Sequence, residues 1–237
     1  MGAVYRREMQ SYFFTPAAYV FLGVFLTLGG IFFGVGNLAA RSGNLLMLLA
    51  QLSYLWVLLT PVLTMRLIAG ERRSGTDRML FASPCTLTGM VAGKYLAACT
   101  VILLTVALTG VYPLLVAAYG KLYFGETAAA YLGLLLQGCA FAAMDLFLSC
   151  FARSQMTAAL VGVGVNLVMW LADVVADASA GIVRSALNFL SLYRRFAPFV
   201  RGQLSLSSLL YYVLFIFIML FLSVRALDAR RWSEAQS

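Results

Sequence analysis

Few residues in this chain can do chemistry, and they lie far apart. Asp145 sits within an apolar run, where an ionised carboxylate is costly and usually faces a bundle interior or a cavity. It reads as a structural polar contact near the inner interface, with Arg153 further along the same face as a partner, or as a proton- or substrate-handling acid. The chain has no histidine, which removes His-based metal sites, His general bases and Ser–His–Asp triads together. Cys85, Cys99, Cys139 and Cys150 show no C-x-x-C spacing and read as small apolar residues rather than a zinc or redox site. Gly89-Met-Val-Ala-Gly93-Lys94-Tyr95 falls short of a phosphate-binding loop, which needs four residues between its glycines and a Ser or Thr after the Lys. Lys94 reads instead as an anchor snorkelling from an inner membrane face. Asp177-Ala-Ser179-Ala-Gly181 is one residue too short for a nucleophile elbow. No catalytic residue, cofactor-binding residue or metal ligand is expected.

The elements that hold these residues are dictated by composition. Of 237 residues, 62% are hydrophobic and 11% charged, with a mean hydropathy of +0.91. A soluble domain runs roughly 45–50% apolar and about 25% charged, so a soluble globule, a disordered chain and a collagen-like fibre are excluded. The net charge of +8 suits Arg lining the cytoplasmic side against anionic lipid. No basic run interleaved with aromatics points to nucleic acid.

Six apolar segments stand out, at about 17–40, 45–69, 95–119, 128–151, 156–176 and 207–224. Each can cross a hydrocarbon core of about 30 Å as a helix, and lipid, offering no hydrogen-bond partners, permits little else. With the N-terminus inside, the inner side holds Arg6, Arg7, Arg66, Arg72, Arg73, Arg78, Lys94, Arg153, Arg225, Arg230 and Arg231. The outer side holds Arg41, Lys121, Arg184, Arg194, Arg195 and Arg201. This bias places both termini in the cytoplasm. Tyr211 and Tyr212 are expected at one interface of the last span, with Arg225 at the other.

Outside the spans, residues 3–15 alternate Tyr5, Met9, Tyr12 and Phe13 with Arg6, Arg7, Gln10 and Ser11, which predicts an amphipathic helix in the inner headgroup layer. Thr15-Pro16 reads as its successor's N-cap and first helical residue. In the inner loop 70–94, Gly75 ends one helix, Thr76 caps a short new one with Asp77 in its first turn, and Ser83-Pro84 stops it. Met79, Leu80 and Phe81 then form an apolar docking element among Arg72, Arg73 and Arg78. In the outer loop 177–206, Arg184, Asn188, Ser191 and Arg195 make one polar stripe, predicting a helix on the outer surface that Ala197-Pro198 breaks, with Gly202 before the last span. Small residues at four-residue spacing, Gly30 and Gly34 in span 1 and Ala158, Gly162 and Asn166 in span 5, mark close helix approach within the chain, at a dimer face or along a pathway. Pro61 and Pro113 are expected to kink spans 2 and 3.

Taken in order, these residues resemble a family. The six spans, the N-terminal stretch ending Ser11-Tyr-Phe-Phe-Thr-Pro16, the run Leu63-Thr-Met-Arg-Leu-Ile-Ala-Gly-Glu71-Arg-Arg-Ser-Gly75-Thr76 and the later Ala82-Ser-Pro84 and Gly93-Lys94 are similar to type-2 ABC exporter permeases. Tyr193-Arg-Arg-Phe196-Ala-Pro-Phe199-Val-Arg-Gly202, Tyr211-Tyr212 and Arg230-Arg231-Trp232 resemble the gliding-motility-type branch. Arg78 stands where members often carry an acid.

The resemblance implies an all-α integral membrane fold of six transmembrane helices with an interfacial N-terminal helix and a short outer helix between spans 5 and 6. It implies a non-catalytic permease in the cytoplasmic membrane that works with a second permease, as homo- or heterodimer, and two copies of a soluble ATPase that binds ATP and Mg. Docking would use a coupling helix at about Thr76 to Ala82, with Glu71, Gly75, Thr76, Asp77, Arg78, Leu80 and Phe81 as its site residues.

Competing readings are a stand-alone secondary transporter or channel, which would show repeats and midplane charges, an intramembrane enzyme, which would need a convergent polar set at depth, and a structural scaffold. Nothing in the sequence names the cargo.

Overall fold

A computed structural model describes residues 2–40, 43–70, 86–119, 123–152, 154–178 and 191–234. The N-terminal helix α1 (Gly2–Phe14) leads through Thr15 into α2 (Pro16–Phe33), which ends in a π-helical turn, Gly34–Ala39. Then come α3 (Leu45–Thr64), α4 (Leu87–Leu108), α5 (Val111–Tyr119), α6 (Phe124–Ser149), α7 (Gln155–Ala178), α8 (Leu192–Val200) and α9 (Leu206–Glu234). Six helical stretches are long and apolar enough to span, namely Pro16–Ala39, Leu45–Thr64, Leu87–Ala118, Phe124–Ser149, Gln155–Ala176 and Leu206–Ala229.

The third span starts at Leu87, well before 95, because Thr86 caps it by accepting from the Gly89 amide at 3.2 Å. It breaks at Thr109–Gly110 rather than bending at Pro113. Pro113 has no N–H to offer Thr109, whose carbonyl accepts from the Tyr112 amide at 3.0 Å and from the Tyr131 hydroxyl on α6 at 2.8 Å. Thr15 holds the N-cap position of α2 without capping it, since its hydroxyl is bonded to the Ser11 carbonyl.

Helix α6 is the axle. Two thirds of its apolar window (67%) is buried, against 17% for α7 and 22% for α9. Small residues make this possible. A Cβ on Gly138 would lie 3.0 Å from the Trp56 ring and 3.1 Å from Ile102, and one on Gly133 would lie 2.6 Å from the Phe199 Cβ. Trp56, Phe21 and Phe25 form the aromatic centre between α2 and α3. The broad apolar faces of α7 and α9, carrying Leu160, Val168 and Phe217, point outward, as lipid or a partner helix requires.

Gly133 receives α8 directly. Gly133→Ala is therefore expected to destabilise the protein by about 1–3 kcal/mol through overpacking, read as a lowered thermal midpoint of the detergent-solubilised chain, whereas Ala128→Met, at an exposed helical position, leaves it near the parent.

Candidate functional site

Five elements converge on the short segment 63–70, from which the inner connection departs. Helix α3 ends at Thr64, and the next turns tighten, with the Leu67 amide donating to the Thr64 carbonyl at 3.0 Å. That leaves C-terminal carbonyls without intrahelical donors. The Tyr12 hydroxyl of α1 donates to the Leu63 carbonyl at 2.9 Å. The Lys94 ammonium of α4 donates to the Leu67 carbonyl at 2.6 Å and pairs with Glu8 of α1 at 2.7 Å. Arg66 Nη1 donates to the Thr15 hydroxyl at 2.6 Å. The Ala69 amide donates to Ser149 Oγ at the end of α6 at 3.3 Å. Ala69 also packs with Ala152 and Ala158, and a Cβ on Gly70 would touch Gln155 at 2.9 Å.

The electrostatics follow from burial. Lys94 is 1% exposed, so its charge needs both Glu8 and a helix C-terminus, whose partial negative charge favours a cation. It is not a snorkelling anchor. Burial, with the Glu8 carboxylate near, pushes the Tyr12 phenol above its ordinary value, so it remains a proton donor. The N-terminal helix is thus fastened to the bundle by Tyr5, Glu8, Met9 and Tyr12, with Arg6, Arg7, Gln10 and Ser11 exposed. Phe13 departs from the expected apolar side and is exposed beside Tyr19. Glu8 was not singled out by sequence reasoning. Its signal was the spacing Tyr5, Glu8, Tyr12 on one helix face, opposite a lone Lys in an apolar segment.

A second polar knot joins spans 2, 4 and 5. Pro61 deprives the Val57 carbonyl of its helical donor, and Asn166 Nδ2 of α7 supplies one at 3.3 Å. The same amide lies 3.4 Å from Thr60 Oγ1 and 3.4 Å from Asp145 Oδ2. A Cβ on Gly162 would lie 2.8 Å from Pro61 and 3.1 Å from Asp145 Oδ1. Asp145 is buried at this crossing, and among the described residues it forms no ion pair. Arg153 lies outside them. In span 5, then, Ala158, Gly162 and Asn166 pack against spans 2 and 4 inside one chain. In span 1 the packed glycine is Gly29, 3.0 Å by its Cβ position from the Tyr112 hydroxyl. Gly34 meets nothing within 4 Å and Gly30 only that hydroxyl at 3.9 Å.

At the opposite end α8 does not stop at Ala197 but continues through Pro198 to Val200. Ser191 caps it, accepting from the Arg194 amide at 3.1 Å while donating to Asp173 at 2.9 Å. Tyr212 is buried and donates to the Leu192 carbonyl at 2.6 Å, so it is an internal strut rather than an interface tyrosine. Among the described residues no group of three metal-binding side chains occurs, and Cys99, Cys139 and Cys150 lie within the apolar core. Glu71, Gly75, Thr76, Asp77, Arg78, Leu80, Phe81 and Cys85 lie outside the described residues, as does 179–190 of the outer loop.

Removing one member of the buried pair strands the other. Glu8→Gln is expected to cost about 3 kcal/mol, and the double variant Glu8→Gln/Lys94→Met less than either single change. Thermal melts of the four proteins check both statements.

No curated protein matches the chain. A family model described as ABC-2 family transporter protein matches residues 51–226, from the middle of α3 to the last span, including the root at 63–70, the Asp145 knot and α8. With its six apolar helices and a match over most of its length, the chain belongs to the ABC-2 transporter family and is a multi-pass membrane permease component of an ABC transporter.

Proposed function

We propose that this chain is the transmembrane subunit of an ATP-driven exporter of the gliding-motility-type branch, in a cytoplasmic membrane with both termini inside. It works with a second permease and two soluble ATPase subunits, which bind ATP and Mg. The observation that carries the reading is the fastened root. Gly70 and Thr86 bracket the connection 71–85. Leu67 before it and Lys94 after it are joined by a 2.6 Å hydrogen bond under α1. A push delivered to that connection reaches spans 2 and 3 and α1 together. Ser149 and Gln155 carry it to spans 4 and 5.

On this reading, closure of the ATPase pair drives the two connections together and the bundle switches as packed bodies. Leu80 and Phe81 supply the apolar docking contact. Glu71, Arg72, Arg73, Asp77 and Arg78 form the charged rim, while Gly75 and Thr76 begin the coupling helix. Gly30 and Gly34, turned away from the bundle, offer span 1 to the second permease.

Phe81→Asp is expected to abolish permease-stimulated ATP turnover by the co-purified ATPase while the chain still inserts and melts like the parent. Unchanged stimulation removes this docking site. Recovery of the chain without any ATPase in several detergents would remove the ATP-driven reading itself.

A further inference from the structure

At the end of the bundle opposite α1, a groove of about 670 Å³ opens between the start of α3, Asp173 on α7, and α8 with its following turn. That volume lies in the range of small-ligand sites. Its floor is aromatic. Tyr54 stacks on Tyr193 with ring centres 5.4 Å apart, and Trp170 meets the Tyr54 edge at 6.3 Å. Phe196 and Pro198 continue the apolar wall. The Tyr193 hydroxyl is buried and has no partner. Burial, with Tyr54 and Asp173 near, raises its pKa, so it offers a proton rather than a charge.

The charges in the groove do not cancel. Asp173 is taken up by Arg194 at 3.2 Å and by Ser191. Arg201 remains exposed at the rim beside Gln203. The turn that carries it is held in place. Gly202 holds φ +72, and a Cβ there would lie 2.5 Å from Glu126 Cγ, so the turn is pressed against α6. The Gln203 amide closes back on the Pro198 carbonyl at 3.0 Å.

We propose that this groove is a binding site for an anionic amphiphile. Its acidic group is held by the Arg201 guanidinium and the Gln203 side-chain amide, and its apolar part lies on Tyr54, Phe196 and Pro198. A guanidinium suits phosphate or carboxylate through paired N–H donors. A lipid surface places the apolar part at the level of the aromatic floor. The site is independent of how the chain is energised.

Trp170 reports on it. The full chain is reconstituted in nanodiscs of phosphatidylcholine, and brominated phosphatidylglycerol or brominated phosphatidylcholine is titrated in while tryptophan fluorescence is read. The anionic lipid is expected to quench about fivefold more effectively, the ratio that one arginine supplies near an anionic surface. Arg201→Gln removes the preference and Arg201→Lys keeps most of it, both with the parent melting temperature. Trp170→Phe removes the anion-dependent part of the signal. Equal quenching by the two lipids, no quenching by either, or a preference that survives Arg201→Gln or Trp170→Phe overturns the site. Dodecyl phosphate below its micelle concentration then identifies the source. Relief of quenching marks a site open to exchanging single-chain amphiphiles, and persistent quenching marks a resident lipid, the site standing in both cases.

Discussion

Carbonyl oxygens that helices leave free, in surroundings with no water to donate to them, govern this structure. An unsatisfied backbone group in hydrocarbon costs several kcal/mol, and this chain frees such groups wherever a proline enters a span or a helix ends. At several of these places a side chain from another helix answers. Asn166 reaches the Val57 carbonyl behind Pro61, and Tyr131 the Thr109 carbonyl before Pro113. Tyr12 and Lys94 reach Leu63 and Leu67 past the end of α3. These bonds are directional, unlike apolar contacts among helices that lipid could replace equally well. They determine which helices neighbour one another.

The glycines are the counterpart of those donors. A tyrosine or asparagine can reach a foreign backbone only if the helices lie close, and closeness requires a missing side chain on one of them. Gly162 admits Pro61 and so brings Asn166 within reach of Val57, while Gly133 admits Phe199 and Phe196 and seats α8 under Tyr212. The motif running from Tyr193 to Gly202 is therefore a packing unit. Its aromatic residues stack on Tyr54 or fill the space above Gly133, and its glycine holds the turn that Glu126 crowds.

The same economy explains where movement can enter. Residues 63–70 bond to α1, α4 and α6 and pack on α7, so they cannot shift alone. A buried cation at that point has two partners from different elements, and losing either leaves its charge uncompensated. The exposed faces of α7 and α9 remain free to meet lipid or a second subunit.

Much of this was legible in the residues alone. Composition determined a membrane protein, hydropathy located six spans to within a turn or so at most ends, and the order of short motifs pointed to the permease family, because span length and lipid exclusion are properties of single segments. The amphipathic N-terminal helix and the small-residue spacing of Gly162 and Asn166 were legible for the same reason. What the residues could not settle was pairing. Lys94 looked like a snorkelling anchor and Tyr212 like an interface residue, since each was judged by depth along its own helix. Only the packed bundle brought Glu8 to Lys94, Leu192 to Tyr212 and Asn166 to Asp145, because those partners lie far apart along the chain and meet only when glycines and prolines on separate spans set the distance between them.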